Sequence, residues 1–204
     1  MSTQKDTYKS LKNVSEGFFK DRGSKFYAYA FPVSTEDEIK EKQAELRKVH
    51  YDARHHVYAW ILGSEQQEFR ANDDGEPAHS SGDPVLNQIR SFELTNLLII
   101  VVRYFGGTKL GIPGLINAYK TAAAQAIENG KIIENVRRVD YRIKFDYPMM
   151  DQINRLVKES DIEVKDRSFM VDCEMTLAVR LSDADQIESR LRQSPEVKIL
   201  DTSA

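Results

Sequence analysis

The sequence predicts an α+β protein of two domains, and three observations carry that reading. Segments with the alternation of a β-strand are interleaved with segments of helical spacing along the whole chain. The pattern changes character near Asn135–Arg138, after which it settles into a regular β-α-β-β-α-β order. The length, 204 residues, suits one large domain or two small ones, and a hydrophobic content of 41% is enough for packed cores.

Residues 1–13 are polar and are expected to be disordered. Val14–Lys20 and Ser24–Val33 are apolar-rich stretches separated by Asp21-Arg22-Gly23, which predicts a β-hairpin closed by the glycine. Ser34 or Thr35 opens a helix with Glu36, Asp37 and Glu38 in its first turn, where acids complement the helix dipole. His55–Leu62 reads as a strand, and Gln67–Ala71 as its partner. Asn72 to Pro84 is dense in turn-formers, and a loop of that length in a compact domain usually has a role of its own. A short helix over Val85–Phe92 precedes Asn96–Val102, whose unbroken apolar run predicts a strand buried on both faces. Arg103 to Pro113 is a glycine-rich turn, and Gly114–Glu128 an alanine-rich helix ended by Asn129-Gly130.

In the last third, Val139–Tyr147 alternates as a strand, Met149–Ser160 is a helix, and Ile162–Asp166 and Met170–Leu181 are strands. A helix capped by Ser182 and a strand over Val197–Leu200 complete the order, which predicts a ferredoxin-like βαββαβ domain. The expected division is a disordered 1–13, a first domain over 14–136 and a second over 137–204.

Composition narrows the function. One cysteine excludes a disulfide framework and a cysteine-rich zinc module. The longest apolar run, Leu97 to Val102, is far short of the roughly 20 residues a spanning helix needs. No signal-peptide segment opens the chain, so a cytoplasmic protein is expected. The formal charge of −3 divides almost evenly, with 17 basic and 18 acidic residues up to 136 and 12 and 14 after it. Neither part is globally basic, so nucleic-acid binding would rest on a local patch.

Three segments carry chemistry. In Arg103-Tyr104-Phe105-Gly106-Gly107-Thr108-Lys109-Leu110-Gly111-Ile112-Pro113-Gly114, glycines permit close approach to a ligand, and the following helix start suits an anion, with Arg103 and Lys109 adding charge. The spacing matches neither the Walker nor the dinucleotide loop, and a tight strand-to-helix turn explains the same residues. Asp73-Asp74-Gly75-Glu76-Pro77-Ala78-His79 can hold a cation or supply a general base, or can be an acidic turn whose side chains cap backbone N–H groups. His55 and His56 are adjacent on a strand, point to opposite faces and so cannot chelate one ion together. Cys173 alternates with Val171 and Met175 and reads as packing. Arg137, Arg138, Arg142 and Lys144 form a basic cluster that can meet phosphate or simply be a solvated edge.

Ser24-Lys25-Phe26, Ala53 with His55, Asp74-Gly75-Glu76-Pro77, and Val102-Arg103-Tyr104-Phe105-Gly106-Gly107 with Lys109-Leu110-Gly111 resemble the bacterial YigZ and eukaryotic IMPACT family over about residues 14–130. The resemblance implies a left-handed β-α-β domain like elongation factor G domain IV, followed by a ferredoxin-like domain resembling its domain V. It also implies nucleic-acid or ribosome association without catalysis; the eukaryotic relatives regulate translation. Three departures bear on anion binding. Ala78-His79-Ser80-Ser81-Gly82 replaces the family's usual Ser-Gly-Thr-Ala-Gly, Pro113-Gly114 replaces a Gly-Gly pair, and Asn117 stands where an Arg often follows.

The leading expectation is therefore a non-catalytic translation-associated protein whose partner is RNA, the ribosome or a translation factor. Its site would comprise Arg103, Gly106, Gly107, Lys109 and Gly111, with His55, His56, Asp74, Glu76 and His79 in an adjoining cleft. No cofactor, metal, membrane partner or DNA sequence specificity is expected, and the sequence does not fix the oligomeric state. The alternatives are an enzyme acting on a small phosphorylated or nucleotide-like ligand, with Glu76 or Asp74 as base, and a protein-interaction module.

Overall fold

In a computed structural model, residues 6–169 and 173–203 are described. The chain forms two compact units, one of Tyr8–Asn135 and one that begins at Val136 and takes in Asp6 and Thr7. The protein is a mixed α+β chain of two domains.

The first unit is built on a five-stranded antiparallel sheet. In chain order its strands are β2 (Ser15–Asp21), β3 (Ser24–Pro32), β4 (His55–Leu62), β5 (Glu68–Asn72) and β6 (Leu97–Tyr104), and across the sheet they run β2-β3-β6-β4-β5. Helix α1 (Glu36–Val49) joins β3 to β4, and β6 lies between those two strands. The expected hairpin forms with Asp21 opposite Ser24. Thr35 caps α1, its Oγ1 accepting the Glu38 N–H, while the Glu38 carboxylate accepts from the Ser34 N–H at 2.6 Å.

Every residue from Leu97 to Arg103 is buried because both faces of β6 are covered. On one face Leu98, Ile100 and Val102 pack with Trp60 and Leu62 against Ile39 and Leu46 of α1. On the other, Leu97, Ile99 and Val101 meet helices α2 (Gly82–Ser91) and α3 (Gly111–Glu128) through Val85, Ile89, Ala118 and Ala122.

Helices α2 and α3 each begin three residues earlier than the sequence pattern suggests, and each carries proline as its third residue, Pro84 and Pro113. The first-turn N–H groups of a helix have no acceptor in any case, so proline is tolerated inside it rather than before it.

The expected disorder of residues 1–13 is corrected over its second half. Thr7–Leu11 is β1, which pairs with β7 (Ile132–Val136) in a two-stranded sheet. Leu11 enters the core, and the Thr95 N–H donates to the Lys9 carbonyl. Residues 1–5 lie outside the described residues.

The second unit is a four-stranded antiparallel sheet of β8 (Arg138–Phe145), β9 (Glu163–Phe169), β10 (Cys173–Arg180) and β11 (Val197–Ser203). The spatial order β11-β8-β10-β9 is ferredoxin-like. Helices α4 (Met150–Glu159) and α5 (Ala184–Arg192) pack on one face through Ile153, Leu156, Ile187 and Leu191, against Tyr141, Ile143, Met175 and Leu177. Cys173 is buried in that core. Val171, expected to alternate with it, lies outside the described residues. Among the described residues no helix is long and apolar enough to cross a membrane.

Gly17 shows how tightly the first unit is packed. A Cβ there would overlap the backbone nitrogen of Ala126 and lie 2.5 Å from the Ala122 carbonyl oxygen, both in α3. Gly17→Ala is expected to lower unfolding free energy by about 1–3 kcal/mol through overpacking, read as a lower urea midpoint with an unchanged slope.

Candidate functional site

The glycine-rich turn after β6 folds over a buried ion pair. The Arg103 guanidinium Nη1 lies 2.6 Å from Glu76 Oε1, and both side chains are almost wholly buried. The Tyr119 hydroxyl, from α3, donates to the same carboxylate oxygen at 2.7 Å. Burial, then the Glu76 charge, pushes the Tyr119 phenol far above its ordinary range, so it remains a donor. The guanidinium also sits 5.5 Å from the centre of the Phe26 ring and 5.6 Å from that of Phe105. The Ser24 hydroxyl accepts from the Gly106 N–H at 3.1 Å and from Arg103 at 3.5 Å.

Arg103 was expected to face a phosphate. It is only 6% exposed and its charge is neutralised inside the unit, so that role is corrected. Glu76, an expected cleft residue and candidate base, is the internal counter-ion.

The rest of the turn is exposed. Gly106, Gly107, Thr108, Lys109 and Gly111 face solvent, and the Lys109 side chain has no ion-pair partner among the described residues. Gly107 and Gly111 adopt positive φ, 89° and 72°, which glycine takes without strain. Gly106 is required for another reason: a Cβ there would overlap the backbone of Gly23 at the tip of the β2–β3 hairpin. The hairpin tip and the turn are thus locked backbone to backbone. Arg22, Lys25 and Lys20 are exposed at this end, also without carboxylate partners among the described residues. The sequence reading overlooked these three cations, because a hairpin lysine gives no signal until the hairpin is placed against the turn.

The acidic loop serves the fold. Asp73 Oδ1 accepts from the N–H groups of Ser81 and Gly82 and from the Ser81 hydroxyl, and Oδ2 from the His79 N–H, so Asp73 organises the start of α2. Asp74 Oδ2 accepts from the His56 N–H at 2.6 Å and Oδ1 from Arg47 at 2.8 Å. Burial pushes the Asp74 carboxyl up, but these hydrogen bonds and the Arg47 charge outweigh it and hold the group below the usual range.

His55 Nδ1 donates to the Asp74 carbonyl at 2.9 Å. His56 lies on the opposite face, 5% exposed, with neither ring nitrogen hydrogen-bonded. Burial, then the Arg47 charge, lowers its pKa. His79 is a surface residue paired with Asp83 at 2.6 Å, and that hydrogen bond raises its pKa. The cleft candidates therefore do not converge on one point. Among the described residues no group of three or more His, Cys, Asp or Glu side chains is placed to hold a metal ion.

The basic cluster after Asn135 is a cross-strand pattern. Arg142 pairs with Glu174 at 2.7 Å and Arg138 with Glu163 at 3.5 Å, while Lys165 meets Asp140 at 2.6 Å. Arg138 and Arg142 thus each have a carboxylate partner at the surface.

A second arrangement carries no sequence motif. On the same face as α1, at its C-terminal end, Tyr27, Tyr29 and Tyr104 surround His50, and Phe18 packs on Tyr27. The Tyr29 hydroxyl lies 2.8 Å from His50 Nε2, and His50 Nδ1 lies 2.9 Å from the Tyr104 hydroxyl, which donates to Asp52 at 3.1 Å. Each proton is used once if His50 carries its hydrogen on Nδ1. Burial, then the Asp52 hydrogen bond, pushes the Tyr104 phenol up to about 12.

Two family models match the chain. Residues 22–127 match the Impact N-terminal domain, and residues 143–194 match a domain described as a domain of unknown function (DUF1949). The IMPACT family member YvyE of Bacillus subtilis is 31% identical over 160 residues, covering 78% of this chain and 74% of the relative. The IMPACT family member YigZ of Escherichia coli is 28% identical over 148 residues, covering 72% of each. A crystal structure of a hypothetical protein aligns with 97% of this chain and 98% of its own at a TM-score of 0.73 and 23% identity, which shows a shared fold.

Two outcomes follow from this geometry. Arg103→Met leaves the Glu76 charge buried without its partner, and is expected to cost about 3–5 kcal/mol in chemical denaturation. His56 binds a proton less readily in the folded state than in the unfolded one. Stability should therefore fall as pH drops below the ordinary imidazole value of 6.5. His79, with its raised pKa, works in the opposite sense. His56→Phe removes only the first effect, so its thermal midpoint should fall less than the wild type's between about pH 7.5 and 5.5.

Proposed function

The chain belongs to the IMPACT family, and on that premise we propose that it is a non-catalytic, translation-associated protein that binds RNA, free or within the ribosome. The binding surface is the end of the first unit where the β2–β3 hairpin abuts the turn after β6. The observation that carries this reading is the meeting of Gly23 and Gly106, which gathers Lys20, Arg22, Lys25 and Lys109 at one end of a unit that is otherwise slightly acidic. Four cations without carboxylate partners among the described residues suit a polyanion, and such contacts supply affinity without reading sequence.

Gly107 and Gly111 leave the backbone open to close approach, and the start of α3 adds N–H groups, although Pro113 supplies none. In this reading Arg103 acts indirectly. Its pairing with Glu76, and the Ser24 bond to Gly106, hold the turn in shape. An enzymatic role has less support, because Asp73 and Asp74 spend both oxygens, and Glu76 its Oε1, on the chain's own donors.

Fluorescence anisotropy with labelled RNA, together with co-sedimentation with ribosomes, tests the proposal. Affinity should fall steeply with salt, and the combined Arg22→Ala and Lys109→Ala variant should bind at least tenfold more weakly. Each lost phosphate contact should flatten the salt slope by about 0.7–1. Absence of binding, or binding indifferent both to salt and to these substitutions, would refute it.

A further inference from the structure

The sheet of the first unit is covered unevenly. Helix α1 lies over β4 and β6, where Ile39 and Leu46 meet Trp60, Leu98, Ile100 and Val102. The same face of β2 is uncovered, where Phe18 is 45% exposed, and the neighbouring Tyr27 of β3 is half-buried. Side chains two apart on a strand share a face, so the register sets out this surface row by row. The first row across β2, β3 and β6 is Lys20, Lys25 and Tyr104, the second Phe18, Tyr27 and Val102, and the third Glu16, Tyr29 and Ile100.

The rows grade from cationic to aromatic. The lysine row is nearest the hairpin tip with Arg22, and Glu16 stands at the far end. Phe18 and Tyr27 have ring centres 4.9 Å apart, and Tyr27 lies 6.0 Å from the His50 ring at an interplanar angle of 28°. Hydrogen bonds to the Tyr29 and Tyr104 hydroxyls hold His50 between them, Tyr29 donating to Nε2 and Tyr104 accepting from Nδ1. One exposed and one half-buried ring, fixed in advance and bordered on one side by lysines without carboxylate partners among the described residues, suit a ligand with flat apolar faces strung on an anionic backbone. Within a duplex, base faces are already stacked and cannot reach such rings.

We propose that this uncovered sheet face is a base-stacking surface centred on Phe18 and Tyr27, and that the ligand is single-stranded rather than double-stranded nucleic acid. The proposal rests on the nucleic-acid reading above and assigns its substrate class. Lys20 and Lys25 follow the phosphates, and the rings take successive bases. The negative charge of Glu16 keeps the backbone at the lysine end.

The test is binding of a labelled oligouridylate carrying one 2-aminopurine, compared with a blunt RNA duplex of equal length. The single strand should bind at least tenfold more tightly, with 2-aminopurine fluorescence quenched on binding. Phe18→Leu and Tyr27→Leu should each weaken it about fivefold or more, as loss of one base stack does, without changing the salt slope. Tyr27→Phe, which keeps the ring, should bind like the wild type, and the near-ultraviolet circular dichroism of each variant reports its packing. Salt-dependent binding that treats duplex and single strand alike, or that ignores both leucine substitutions in folded protein, overturns this inference and leaves the wider reading standing. If neither RNA binds, both are overturned.

Discussion

The buried pairing of Arg103 with Glu76 is the constraint on which the hairpin-and-turn end of the first unit depends. A guanidinium removed from water needs a carboxylate and further acceptors, and four distant parts of the chain supply its surroundings. Glu76 comes from the acidic loop, Tyr119 from α3, Ser24 and Phe26 from the hairpin, and Phe105 from the turn itself. Satisfying one buried charge therefore fixes the relative positions of loop, hairpin, turn and helix. The exposed cations are set around this frame, so the surface inherits its shape from an interaction that no ligand touches.

The same pair explains what the sequence did and did not disclose. The motifs that mark the family, Ser24-Lys25-Phe26, Asp74-Gly75-Glu76-Pro77 and Arg103-Tyr104-Phe105-Gly106-Gly107, converge in space, and a concentration of charged and glycine residues reads naturally as a ligand site. Sequence shows that Arg103 and Glu76 are chemically capable, but not that they neutralise each other. Asp73 and Asp74 are similar: their type suggested catalysis or a cation, and their partners are the backbone of α2 and of β4.

The elements legible in sequence were those whose period is local and whose apolar residues dominate. His55–Leu62 and the double-buried strand at Leu97 are examples. The ferredoxin-like order was also legible, since each of its elements has its own clear apolar face. β1 and β7 were not. Their burial comes from each other and from residues far along the chain; the Asn135 side chain bonds Ser10 across 125 positions. The aromatic face was invisible for a related reason. Phe18, Tyr27, Tyr29 and Tyr104 look like core residues until α1 is seen to cover only part of the sheet.

The pairing of the chain's beginning with its later parts has a consequence for synthesis. Asp6 belongs to the second unit, where its carboxylate takes the Ser182 N–H and meets Arg180. Leu11 belongs to the core of the first, close to Gly130 and the strand that follows it. On a ribosome the segment from Asp6 to Leu11 must wait until Ser182 has emerged before both attachments exist. The first unit's five-stranded sheet can form well before then, and its closing strand pair once Ile132–Val136 has emerged. The segment from Asp6 to Leu11 thus ties down each unit only after its partners, near residue 130 for the first unit and at 180–182 for the second, have left the exit tunnel.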